Sequence, residues 1–316
     1  MPLAAPTLRA LEALHLPVEE DAPLAARVYW RVGGPADGLV EANDLPALQG
    51  VVRAATETDC PLFVLGRGSN LLVSDAGVRG LVVVLGGALA DTEDLGGDPP
   101  AIRAGAGLSL TVLLSRAQRA GWTGLECFAG IPGTVGGAVV MNAGSQLGET
   151  VQPLVDADVV LPDGSVRTLS KAVLRMSYRT THLPEGAVVA SARLQTSSAD
   201  PDETFSRVRA FLARRKATQP LTLPSCGSTF RNPPGDHAGR LIEAAGLEGY
   251  RLGDAQVSEK HANFVVNHGA ATAAQLRRVI EHVQDTVQAR FGVRLQREVR
   301  YAGDWAGWAQ QTTEVA

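Results

Sequence analysis

Residues 124–148 read GLECFAGIPGTVGGAVVMNAGSQLG, seven glycines in 25 positions. Upstream, the apolar run LFVLG at 62–66 opens directly into Arg67-Gly68-Ser69-Asn70. Glycine reaches positive φ and lets main-chain N–H groups approach an anion with no Cβ in the way. Two such loops after strand-like runs therefore make nests for phosphate oxygens. Read from the residues alone, the alternative is that both stretches are tight turns in a β-rich domain. The polar residues Ser69, Asn70, Thr134 and Asn142 set among the glycines favour the ligand cradle.

The usual nucleotide folds do not fit. Gly66-x-Gly68 is followed by Leu71 where a dinucleotide fingerprint needs its third glycine, and LLVSDAG does not open a helix. No glycine loop runs into Lys and then Ser or Thr, so the phosphate loop of ATPases is excluded as well.

The 316 residues are 45% hydrophobic and 20% charged with a net charge of −4, which suits a soluble globular protein of two or three units. The absence of a basic excess argues against a broad nucleic-acid surface. Cys60, Cys127 and Cys226 are odd in number and widely spaced, with no CxxC pair and no zinc-finger histidines, so a reducing compartment and no metal are expected. The first residues lack the pattern of a secretory signal and no apolar run reaches membrane-span length. Cytoplasmic localisation is the expectation.

Along the chain, residues 45–57 read as a helix capped by Asp44, with Leu48, Val51, Val52 and Ala55 on one side. Runs at 62–65, 81–85 and 101–104 have strand character, 109–120 reads as a second helix, and Pro162-Asp163-Gly164 joins a hairpin. A polar stretch at 196–200 suggests a boundary, followed by a helix with Phe205, Val208 and Leu212 on one face. Beyond it come a helix at 238–245, a strand at 261–266, a long helix capped by Thr272 and ended by Gly292, and an alternating strand over 293–301. The last dozen residues read as a loose tail.

Five ordered motifs carry a resemblance: LGRGSNLL at 65–72, GIPGTVGGAVVMNAG at 130–144, SYRTT at 177–181, PSCGSTFRNPPG at 224–235 and REVR at 297–300. Together they resemble the UDP-N-acetylenolpyruvoylglucosamine reductase (MurB) family, in the branch lacking a tyrosine-bearing loop, because residues 180–186 are too few for it. The resemblance implies an α+β fold: an FAD-binding domain of the vanillyl-alcohol-oxidase (PCMH) type over 1–198, in two lobes split near 75–80, a smaller α+β substrate-binding domain over 199–303, and a tail over 304–316. It implies FAD held non-covalently by Gly66, Arg67, Gly68, Ser69 and Asn70 in one loop and Gly130, Pro132, Gly133, Thr134, Gly136, Gly137, Asn142 and Gly144 in the other. No histidine lies in either loop to tether the flavin.

By the same resemblance, NADPH reduces FAD and the hydride passes to the enolpyruvyl methylene carbon of UDP-N-acetylglucosamine enolpyruvate, giving UDP-N-acetylmuramate for peptidoglycan. Charge then develops as an enolate. Arg179 and Glu298 are expected to stabilise it, the arginine as a permanently charged fork and the glutamate best as a protonated donor. Ser228 is expected to protonate the carbon, with Tyr178, Lys216, Arg231, Asn232 and Lys260 contacting substrate. On residue type alone, Arg179 is a surface arginine, Ser228 a turn residue and Glu298 a solvated partner of Arg297 or Arg300. Cys226, with no histidine partner, is read as packed rather than reactive. Another FAD oxidase or dehydrogenase of this fold, or a non-catalytic flavin-binding protein, is the alternative.

Overall fold

The computed structural model describes residues 3–198 and 200–306. Its first sheet has four strands in the order Val18–Pro23, Pro35–Ala42, Val78–Leu85 and Leu62–Val64. The first pair is antiparallel and the other two pairings are parallel. Helix Leu45–Glu57 covers this sheet. Its Asp44 cap accepts from the Ala47 amide at 2.8 Å, and Leu48, Val51 and Val52 on its inner face are buried, as the periodicity predicts.

The second sheet has five antiparallel strands, in the order Val166–Ser170, Leu154–Val160, Val188–Gln195, Ala101–Gly105 and Thr92–Gly96. Leu81, Val83 and Leu48 from the first layer share one apolar core with Ile102, Val159, Ala192 and Leu194 from the second. Because Val78–Leu85 sits between two strands of the first sheet, the change of lobe comes after Leu85, not near 75–80. Strand pairing across both edges fixes that boundary.

Helix Pro201–Thr218 also departs from expectation. Phe205 and Val208 are buried with Ala129, which lies inside the second glycine loop, while Leu212 is 39% exposed. The helix packs on the N-terminal half, so the C-terminal unit begins after Thr218 rather than at 199.

That unit contains helix Ala238–Ala244, a small sheet of Arg251–Leu252, Ala255–Val257 and Val265–Asn267, and helix Ala273–Phe291. Thr272 and Gln275 form a reciprocal capping box on the last helix, and Gly292 closes it at φ 70°. Two strands are shorter than the sequence suggests. Only Val265–Asn267 pairs, because residues 261–264 form a turn closed by Phe264 N to His261 O at 3.0 Å. Of the run 293–301, only its end pairs regularly, as Arg300–Ala302 beside Leu71–Val73, although Leu295 and Val299 do face inward.

The two halves are interlocked. Trp30, fully buried in the core of the C-terminal unit, donates from Nε1 to Val265 O at 2.8 Å, and its carbonyl accepts from Asn267 Nδ2 at 2.8 Å. Asp75 adds a second cap to helix Ala273–Phe291 by accepting from the Ala273 and Ala274 amides. The expected tail is only partly described: Asp304 N donates to Gly77 O at 2.8 Å, Trp305 Nε1 donates to Ala302 O at 3.0 Å, and residues 307–316 lie outside the described residues.

Candidate active site

The glycine loops come together at the junction of the lobes. A Cβ on Gly66 would stand 2.9 Å from the Thr134 hydroxyl, and one on Gly133 would stand 3.7 Å from that of Ser69. Gly68, at φ 60°, packs so closely on Val28 that a Cβ would lie 2.7 Å from its Cα. That tight packing bends the first loop. The consequence is a run of main-chain donors: the amides of Gly66, Arg67, Gly68, Ser69 and Asn70, and those of Gly133 and Thr134, donate to no acceptor among the described residues. Main-chain donors are normally paired. Two facing sets without protein acceptors fit the diphosphate of FAD, with the exposed Arg67 guanidinium beside them.

The rest of the second loop serves to hold this geometry. Thr134 caps helix Val135–Met141 through Gly137 N at 3.3 Å. Gly136 donates to Ala106 O and packs where a Cβ would come 2.9 Å from that alanine's own, so its missing side chain answers to packing rather than to a ligand. Asn142 needs correction as a cofactor contact. It is wholly buried at φ 40°, its Nδ2 bonds Glu149 Oε2 and Ser177 O at 2.9 Å, and its Oδ1 accepts from Val151 N at 3.0 Å. Its polar atoms act as a brace. Gly130, which neighbours the half-buried Pro132, accepts from Arg215 Nη1 through its carbonyl.

Four segments converge beside this cradle. Ser177 and Thr180 exchange two main-chain bonds of 2.9 Å, leaving Tyr178 and Arg179 at a two-residue hairpin tip. Arg179 adopts φ 56°, a left-handed conformation that costs a non-glycine residue about 1–2 kcal/mol. External contacts maintain it. Its Nε donates to Glu298 Oε1 at 2.7 Å, Nη2 donates to Gly144 O at 3.1 Å, and its own carbonyl accepts from Arg231 Nη2 at 3.2 Å. The exposed Tyr178 ring lies 5.0 Å from the guanidinium carbon.

Glu298 is therefore not the solvated partner of Arg297 or Arg300 that its neighbours in sequence suggest. Its side chain and that of Arg179 are each only 16% exposed. Burial pushes the Glu298 carboxyl above the ordinary carboxylate range, against the opposing pull of Arg179 and Arg231. Its main chain is fixed from both halves: Glu298 N donates to Thr229 O at 2.8 Å and Glu298 O accepts from Asn70 Nδ2 at 3.0 Å.

Ser228 is thereby placed one residue from the Glu298 strut. It is half-buried, and its hydroxyl makes no hydrogen bond among the described residues. The preceding Cys226 is buried, with Sγ 3.4 Å from Leu71 O and 3.7 Å from Gly68 O, so it ties the serine loop to the first glycine loop. Desolvation in this packed position pushes its thiol up to about 12.

The substrate-contact candidates divide. Arg231 joins the cluster, and its Nε is buried without a partner. Asn232 accepts from Ala238 N at 3.0 Å and braces the start of the next helix. Lys260 Nζ donates to the main-chain carbonyl of Lys216 at 2.7 Å, and both lysines are exposed. Glu149 escapes the motif reading although it brackets Arg179, with Oε1 3.9 Å from Nη1. Its signal was the acidic residue directly after Gly148, at the end of the glycine-rich stretch.

A two-lobed domain with facing amide loops, completed by a smaller domain that brings a glutamate to a buried arginine, has the architecture of a flavoprotein of the vanillyl-alcohol-oxidase fold class. A profile of the FAD binding domain matches residues 36–170, and one described as UDP-N-acetylenolpyruvoylglucosamine reductase, C-terminal domain, matches 219–302. The chain belongs to the UDP-N-acetylenolpyruvoylglucosamine reductase family. It is 48% identical over 282 residues to UDP-N-acetylenolpyruvoylglucosamine reductase 2 of Symbiobacterium thermophilum, covering 89% of this chain and 91% of that one. It is 41% identical over 299 residues to the corresponding reductase of Halalkalibacterium halodurans, covering 94% and 98%. The crystal structure of the Thermus caldophilus enzyme, at 38% identity, superposes with a TM-score of 0.79 over 91% of this chain and 99% of that chain.

Proposed function

We propose that this chain reduces the enolpyruvyl group of UDP-N-acetylglucosamine enolpyruvate to the lactyl group of UDP-N-acetylmuramate, with NADPH as reductant, in peptidoglycan synthesis. FAD, when bound, supplies the hydride it has taken from NADPH. The observation that carries the assignment is the buried Arg179–Glu298 pair, 2.7 Å apart and joined across 119 positions of sequence.

Hydride addition at the methylene carbon leaves charge on the adjacent carbon and its carboxylate. Arg179 keeps the N–H groups on Nη1 free of hydrogen bonds among the described residues after bonding Glu298 and Gly144, and these meet the carboxylate oxygens. Glu298, disposed by burial to hold a proton, donates to the same developing charge instead of repelling it. Ser228 delivers the final proton to carbon. A hydroxyl is a weak acid, so this step depends on proximity, which the Thr229–Glu298 strut and the Cys226 contacts enforce. Arg231, whose buried Nε has no partner among the described residues, adds positive charge beside this pair.

The three cysteines are free thiols, two of them buried, and we place the enzyme in the reducing cytoplasm. Among the described residues no helix is long and apolar enough to cross a membrane. The test is anaerobic: reduce the FAD-loaded protein with NADPH, add the enolpyruvyl substrate, and follow flavin absorbance. Return of the oxidised spectrum on substrate addition is expected. Reoxidation by oxygen alone would instead mark an oxidase.

A further inference from the structure

Arg179 lies between two carboxylates, and the proposed reaction needs one of them neutral. When Glu298 carries its proton, the guanidinium loses the countercharge 2.7 Å from its Nε. The remaining one is Glu149, whose Oε1 lies 3.9 Å from Nη1. At that distance the contact is a charge balance rather than a hydrogen bond, so the Nη1 protons remain available to a ligand.

Glu149 is held too firmly for an incidental surface residue. Gly144–Ser145 pairs with Gly148–Glu149 and sets Gly144 directly opposite Glu149. A single hairpin thus presents both the Gly144 carbonyl and the Glu149 carboxylate to Arg179. A side chain at Gly144 is impossible, since its Cβ would fall 2.5 Å from Gly148 O. The other Glu149 oxygen accepts from Asn142 Nδ2 at 2.9 Å, and that same nitrogen bonds Ser177 O, at the base of the Arg179 hairpin. One buried amide therefore couples the carboxylate to the turn that carries the arginine.

We propose that Glu149 is a positioning residue for Arg179, keeping the guanidinium aimed and charge-balanced while Glu298 acts as a neutral donor. This rests on the functional reading above. The charged groups around Glu298 are Arg179 from the hairpin tip, Arg231 from the segment after Phe230, and Arg297 and Arg300 on its own segment; Asn70, facing it from the first glycine loop, is uncharged. Removing the Glu149 charge leaves Arg179 without that countercharge and so draws the proton off Glu298 through the guanidinium. The alkaline limb of the substrate half-reaction then moves to lower pH.

The experiment compares Glu149→Gln and Glu149→Asp with the parent, all loaded with FAD, in anaerobic half-reactions. Glutamine keeps an acceptor for Asn142 and deletes only the charge. Its substrate half-reaction should fall by roughly 10²-fold, the scale of a misaligned catalytic group, and its alkaline limb should move down by roughly one pH unit. The NADPH half-reaction should fall far less, and aspartate should restore part of the loss. Independently of turnover, the gap by which Glu298→Gln out-melts its background should stop growing at lower pH, and level off at a smaller value, when Glu149 is already glutamine. An unmoved pH profile together with equal losses in both half-reactions overturns the proposal. If the parent itself fails to reduce the enolpyruvyl substrate, the functional reading fails instead, and the melting comparison still decides the role of Glu149.

Discussion

Trp30→Ala should break the joint that carries Ser228 and Glu298 to the flavin domain. The indole is fully buried in the C-terminal core, and a tryptophan in such a place removes about 200 Å² from water. At about 25 cal/mol per Å² this is worth roughly 5 kcal/mol, in line with the 3–5 kcal/mol typical of tryptophan truncation. Loss of the Nε1 bond also strands the Val265 carbonyl, adding about 1 kcal/mol, whereas the bond from Asn267 to the residue-30 carbonyl survives. At about 2–4 °C per kcal/mol for a protein somewhat smaller than this one, the melting midpoint should fall by roughly 10 °C or more. Trp30→Phe, which keeps most of the apolar volume and loses only the indole bond, should fall much less. The assay is thermal melting followed by circular dichroism and by release of flavin fluorescence. Tyr29 N donates to Gly68 O at 3.2 Å, so disorder at the joint reaches the first glycine loop and flavin should escape at or before loss of secondary structure. Melting of Trp30→Ala within about 2 °C of the parent, on that same scale, would refute the idea that this side chain locks the units together.

Other perturbations probe the site itself. Ser228→Ala should slow the substrate half-reaction by at least about 10²-fold while NADPH still reduces the flavin, and equal rates would remove Ser228 from the mechanism. For Glu298, whose folded pKa is raised, the parent's favourable contribution is complete below the unfolded carboxyl pKa of about 4 and is lost as pH rises through the folded pKa. A glutamine does not titrate, so the melting temperature of Glu298→Gln minus that of the parent should grow across that window; a difference that shrinks with rising pH contradicts the burial argument. Cys226, with its thiol near 12, should resist iodoacetamide at pH 8 in the native protein and react once it is denatured.

Local chemistry was the most legible part of the chain. Asp44 and Thr272 cap the helices they were expected to cap, and the Pro162-Asp163-Gly164 turn joins its hairpin. Glycine spacing marked the two loops that meet, because the close approaches at Gly66, Gly68 and Gly136 leave a direct trace in residue type. Contacts made across the fold left none. Trp30 belongs to the core of the C-terminal unit and bonds Val265, 235 positions away, and Asp75 caps a helix that begins at Ala273. Alternation over 293–301 did identify inward-facing Leu295 and Val299, yet it cannot reveal that Glu298 is paired with an arginine from a distant hairpin. Asn142 and Asn232 carried the right motif and a bracing role, because an amide that holds a turn looks in sequence like one that holds a ligand.

The central claim is that this constellation adds hydride to one alkene carbon and a proton to the other. Product mass and proton spectra after turnover with NADPH deuterated at its transferable position, and separately in deuterium oxide, test it directly. NADPH deuterium that survives exchange from the reduced flavin should appear only in the lactyl methyl group, and the neighbouring carbon bonded to oxygen should take its hydrogen from solvent. NADPH deuterium on the carbon bonded to oxygen would contradict it.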